Sequence, residues 1–168
     1  IPWTVLRSSI VYGPGDEFMS QLAALVRRPP AGDRLLAPFV PIIGSGRTRF
    51  QPIHVDDVAR CVGMAATSPS FEGVERMVGG PDEFTYEQLV DLTMEVTGVR
   101  RPKVHLPVAL MRPAVALMPL IYRRPPITSG QLAMIGLDSV CERDSVKQLF
   151  GFEPSRLPES LGYLRDLP

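Results

Sequence analysis

His54 and Asp57 stand three residues apart, and an imidazole beside a carboxylate can serve as a base and its orienting partner. No serine or cysteine nucleophile is placed with them by spacing. The competing reading is a strand-to-helix junction where His54 packs and Asp56 or Asp57 caps the helix, and it is preferred. Ser8 and Ser9 form a second group, whose hydroxyls could meet a ligand or simply bond neighbouring backbone. Arg49 is a third: its planar fork can hold a phosphate bidentately, and its alternative is a solvated surface arginine. His105 reads as structural. Cys61 and Cys141 lie far apart without CxxC spacing, so they make neither a metal site nor a disulfide framework. Two such thiols suit a reducing, cytoplasmic compartment. No G-x-G-x-x-G turn opens a helix, so this chain carries no pyrophosphate cradle of its own.

These residues must be held by an α/β framework. Trp3 to Tyr12 is rich in β-branched and aromatic residues and runs into Gly13-Pro14-Gly15, a strand ending in a turn. The consecutive Val5 and Leu6 predict burial on both faces of a sheet. A chain rarely opens on its most buried strand, and this one opens at Ile1. The expectation is a piece that begins in mid-fold.

A helix is predicted over Glu17 to Arg28 from Phe18, Leu22, Leu25 and Val26, with Pro29-Pro30 stopping it. Ala31 to Pro41 reads as loop, then Ile42-Ile43 as a short strand. Gln51 to Val55 is extended. Asp56 then caps a helix with Val58, Cys61, Val62 and Ala65 on one face. Glu75 to Val78 is another strand. Thr85-Tyr86-Glu87-Gln88 is a capping box for a helix that presents Leu89, Leu92, Thr93 and Val96 and stops at Gly98. Val104 to Leu106 is a strand. Helices are predicted from Thr128 to Gly136, Asp144 to Phe150 and Leu157 to Leu167. No linker separates independent domains. Residues 1–80 read as sheet-completing elements and 81–168 as a smaller, mostly helical lobe.

Eighteen basic and eighteen acidic residues cancel, so bulk charge favours neither nucleic acid nor an anionic membrane. Pro107 to Tyr122 is nearly all apolar, yet it is too short for a span and Arg112 sits near its middle. A kinked helix packed on the protein is preferred over a helix lying on a membrane or partner surface. Its stripe of Val108, Met111, Val115 and Met118 reads as core, or as the wall of a cleft for an apolar ligand.

Three blocks, in order, carry a resemblance. They are Leu6-Arg7-Ser8-Ser9-Ile10-Val11-Tyr12-Gly13-Pro14-Gly15; Gly44-Ser45-Gly46 leading to Gln51-Pro52-Ile53-His54-Val55-Asp56-Asp57-Val58-Ala59; and Gly79-Gly80-Pro81 before a capped helix. Their order and spacing resemble the C-terminal half of the extended and atypical short-chain dehydrogenase/reductases, the NAD-dependent epimerase/dehydratase superfamily. The Gln-Pro-Ile form, with Leu132-Ala133-Met134 and Asp138-Ser139-Val140, is most similar to the branch of the nucleotide-binding accessory subunit of respiratory complex I.

The resemblance implies the C-terminal part of an NAD(P)-binding Rossmann-like fold, with the nucleotide-binding N-terminal half absent. It implies NAD or NADP in the intact protein, approached by Ser8 and Ser9, and substrate contacts at Ile10, Tyr12, Arg49, Gln51 and His54. Ile10 stands where epimerases carry a polar residue. Arg49 stands one position early, where Phe50 holds the family's arginine position. The family's Tyr-x-x-x-Lys pair, a general acid/base and the lysine that lowers its pKa, is missing. Tyr12, Tyr86, Tyr122 and Tyr163 are followed four residues later by Asp16, Val90, Pro126 and Leu167. The expectation is therefore a lobe without catalysis of its own, or a structural relative that keeps the nucleotide as a ligand. A bare Trp3 to Val11 strand also predicts self-association.

Overall fold

The computed structural model describes residues 2–27, 38–109 and 136–165. Residues 110–122 of the apolar segment, and all but the last residue of the Thr128 to Gly136 helix, lie outside them. The elements in order are β1 (Thr4–Ser8), β2 (Val11–Tyr12), α1 (Phe18–Arg27), β3 (Val40–Ile43), β4 (Arg49–Phe50), β5 (Ile53–His54) and α2 (Val55–Thr67). Then come a 3-10 turn (Pro69–Phe71), β6 (Val74–Val78), β7 (Phe84–Thr85), α3 (Tyr86–Thr97), β8 (Lys103–Leu106), α4 (Ser145–Phe150), α5 (Leu157–Ser160) and a 3-10 helix (Leu161–Arg165). The strands pair two by two. β1 with β6, β2 with β5 and β3 with β8 are parallel; β4 with β7 is antiparallel. Parallel pairs joined through helices are the signature of an α/β fold.

α3 forms where its caps demand it. The Thr85 hydroxyl accepts from the Gln88 amide at 3.2 Å, and the Gln88 side chain accepts from the Thr85 amide at 2.7 Å. Gly98 closes the helix in the left-handed region at φ 70°. α1 buries Met19, Leu22, Ala23 and Val26. Its last turn is held by the Arg101 guanidinium, which donates to the Leu25 and Val26 carbonyls and to that of Phe39. One core joins Tyr12 and the α1 face to Leu89 and Val90 of α3 and to Leu157, Leu161 and Leu164. Burial of each such side chain contributes about 1.5–3 kcal/mol. A second core joins Ile53, Cys61, Ala65 and Val78 to Val146, Phe150 and Phe152. Each core draws residues from both sides of position 80.

Six expectations need correction. The first strand is not continuous: it breaks at Ser9-Ile10, so β1 pairs with β6 while β2 pairs with β5. Val5 is not buried on both faces but is 40% exposed, because β1 meets only β6 within the described chain. Val40 and Pro41, read as loop, belong to β3, since Val40 donates to the Pro102 carbonyl beside β8. The cap of α2 is His54 rather than Asp56: Nδ1 of His54 accepts from the Asp56 amide at 3.3 Å. Val62 of α2 faces outward at 50% exposure, leaving Cys61 and Ala65 to bury. The final segment also changes type, being one α-helical turn and then a 3-10 helix.

Candidate functional site

Open α/β sheets bind ligands beyond the carboxyl ends of their parallel strands. Here those ends are Ser8 of β1, Tyr12 of β2 and Val78 of β6, followed by Gly13-Pro14-Gly15 and Gly79-Gly80-Pro81. Ser8 is exposed, opposite Val78. Ser9 is buried, and its hydroxyl donates to the Ser139 carbonyl at 2.6 Å and accepts from the Gln51 amide at 3.1 Å. Ile10 is half-buried, and its carbonyl receives the Ile53 amide at 2.9 Å. Tyr12 is fully buried, meets the His54 ring edge-on at 5.2 Å, and has its phenol pushed up to about 12, chiefly by burial. Tyr12 is thus part of the core.

Gln51 is 1% exposed and ties three segments together. Its Nε2 donates to the Gly80 carbonyl at 2.8 Å, and its Oε1 accepts from the Cys141 amide at 2.9 Å and from the Cys141 thiol at 3.2 Å. Burial raises the Cys141 thiol above its usual range. Beside Gln51 opens a cleft of about 740 Å³, bordered by Asp82, Glu83, Arg143, Asp144 and Arg156.

His54 and Asp57 are not brought together as a catalytic pair. His54 caps α2, and the Asp57 carboxylate accepts from the Ser155 amide at 2.7 Å. Arg49 is held by Asp138: Nε donates to Oδ2 at 2.9 Å, Nη2 lies 2.8 Å from the same oxygen, and the Arg49 amide donates to Oδ1 at 2.8 Å. Glu83 adds a second carboxylate at 3.5 Å. Phe50, on the opposite face, tilts against Phe18 at 5.8 Å. The structure therefore unites Ser9 with Gln51, and Tyr12 with His54, while Ser8 and Arg49 stand apart. Reasoning from sequence missed the roles of Asp138 and Cys141, although Asp138 lies in one of the resembling segments.

The Arg49 amide, then its guanidinium, hold the Asp138 carboxyl below its usual range. A lowered folded-state pKa stabilises above the unfolded value near pH 4 and is lost as pH falls through the folded value. Wild-type protein should thus melt above Asp138→Asn near pH 6, and the gap should close as the pH falls through the folded value. Melting curves across that range check this; a gap independent of pH would contradict it.

Parallel strand pairs that end in glycine turns, with helices packed against them, define a Rossmann-like fold. Residues 1–78 match the model of the NAD dependent epimerase/dehydratase family. That part of the chain is thus similar to the NAD-dependent epimerases and dehydratases. It is 25% identical over 138 residues to the Arabidopsis thaliana mitochondrial NADH dehydrogenase [ubiquinone] 1 alpha subcomplex subunit 9, covering 82% of this chain and 32% of that protein. In fold it is similar to the Thermotoga maritima UDP-glucose 4-epimerase solved with UDP-glucose, with TM-score 0.63, 22% identity, and coverage of 99% of this chain and 46% of that one. It is equally similar to the Bacillus cereus UDP-glucuronic acid 4-epimerase solved with UDP-glucuronic acid and NAD, with TM-score 0.63, 17% identity, and coverage of 99% and 45%. The chain spans about a third of the Arabidopsis subunit and under half of each epimerase.

Proposed function

We propose that this chain covers a dinucleotide, NAD or NADP, held mainly by a partnering nucleotide-binding half, and that it has no catalysis of its own. One observation carries the reading: the exposed Ser8 hydroxyl and the Gly13-Pro14-Gly15 turn lie at the carboxyl ends of parallel strands, inside the segment that matches the family model. The residues fit the covering side of such a ligand. Gly13 lies so close to α2 that an added Cβ would come within 2.7 Å of Val55, so the turn is a close approach of backbone. Bound NAD(P) would supply hydride transfer; Ser8 would orient it, and the Gln51 network would hold the strand ends in place. The sequence carries no Tyr-x-x-x-Lys pair to move the proton.

A second reading is a non-catalytic NAD(P)H-holding structural or assembly protein. The likeness to the complex I subunit favours it, as do the apolar Ile10 and the packed Phe50 at positions where epimerases are polar. In that reading the 107–122 segment meets a protein partner or a membrane surface, and the protein is cytoplasmic, peripheral to the membrane's inner face. Among the described residues, no helix is long and apolar enough to cross a membrane.

NADH or NADPH should raise the melting temperature of the full-length protein by mass action, by roughly the equivalent of 2.7 kcal/mol at a hundredfold excess over Kd. Thermal shift with either nucleotide checks this; no shift with both would remove the reading. Turnover with a sugar nucleotide or a quinone separates enzyme from scaffold. Self-association is supported by the exposure of Trp3, Val5 and Met77, and sedimentation at tens of micromolar (roughly where open strand edges aggregate) should show species larger than a monomer.

A further inference from the structure

Asp16 closes the glycine turn with an unusual number of donors. Its Oδ1 accepts from the Met19 amide at 2.8 Å and the Ser20 amide at 3.1 Å, which is ordinary capping of α1. Its Oδ2 does something else. It accepts from the Gly13 amide at 3.1 Å and from the Tyr163 hydroxyl, 147 residues away in sequence. One oxygen therefore joins the turn after β2 to the 3-10 helix near the other end of the described chain. Tyr163 packs against the first core, so its hydroxyl arrives from a fixed direction. Burial, then the Asp16 bond, hold the phenol well above its usual pKa, so it stays a donor near neutral pH. The turn itself is half braced. Gly13 is wedged against Val55, whereas nothing lies within 4 Å of a Cβ placed on Gly15. The Asp16–Tyr163 bond ties the Gly13 end of the turn to the 3-10 helix.

We propose that Tyr163 is a positioning residue: through Asp16 it fixes the Gly13–Gly15 turn against the bound ligand. This rests on the reading that a dinucleotide is covered at the carboxyl ends of β1 and β2. Tyr163→Phe keeps the ring's packing and removes only the hydroxyl. In this chain, hydrogen exchange at the Gly13 amide should accelerate about tenfold, the size of one charge-assisted hydrogen bond, while the Met19 and Ser20 amides keep their protection. In the full-length protein, the same variant should bind NADH several-fold more weakly, whatever the fall in melting temperature from the lost bond. A purely structural tyrosine predicts that fall with unchanged affinity. Unchanged exchange at Gly13, or unchanged NADH affinity where the wild type binds, overturns the positioning role alone. A wild type that binds neither NADH nor NADPH overturns the dinucleotide reading and the role built on it.

Discussion

Gly80→Ala is expected to cost on the order of 3 kcal/mol or more and to broaden or abolish the cooperative unfolding transition. A Cβ on Gly80 would stand 1.9 Å from the Pro52 carbonyl oxygen and 3.0 Å from its carbon. Both contacts are backbone, so no side chain can swing aside. Neither segment can yield cheaply. The proline ring stiffens residue 52. Ile53, next to it, donates to Ile10 and pairs with β2. Gly80 in turn donates to the Gln51 carbonyl at 3.1 Å. Gly63→Ala in α2 is the control, since nothing lies within 4 Å of its Cβ and alanine favours a helix by up to about 1 kcal/mol. Urea denaturation of the two variants checks the contrast. A Gly80→Ala midpoint equal to that of wild type would show that the two strand ends are not in contact.

Gln51→Met is expected to cost about 2–5 kcal/mol despite preserving length and volume. The loss comes from the groups left behind rather than from the side chain. The Gly80 carbonyl and the Cys141 amide each lose their hydrogen-bond partner, and an abandoned buried group costs roughly 1–3 kcal/mol. The variant should also loosen Cys141, because the Gln51 side chain ties it to the strands, whereas Ser139 is held by the Ser9 hydroxyl and by the Arg49 and Gln51 backbone. Chemical denaturation measures the first effect and amide exchange at Cys141 the second. A loss under about 1 kcal/mol, with Cys141 still protected, would mean that water replaces the amide and the network is not a structural tie.

Local devices were legible from the residues alone. The Thr85–Gln88 capping box and the Gly98 stop depend on atoms within one helical turn, and both appear as read. The α/β class followed from short-range patterns too. Boundaries failed where a distant partner decided them. Val40 and Pro41 are strand because β8 lies alongside, and β4 is strand because β7 and Ser139 do.

The candidate site divides along the same line. Residue types at Ser8, Ser9, Tyr12, Gln51 and His54, and the chemistry open to each, were determined by the sequence. Their roles were not. Gln51 is a buried tie because Gly80 and Cys141, 29 and 90 residues away, supply its partners. Arg49 is clamped because Asp138, 89 residues on, returns to its side. Ser9 turns inward because Ser139 offers a carbonyl 130 residues later. A side chain's propensity is set by its own bonds and nearest neighbours, and the sequence states those. Whether a polar side chain is spent on the fold or left for a ligand depends on which partners the closed chain brings within 3 Å or so, a hydrogen bond's reach, and only the tertiary structure decides that.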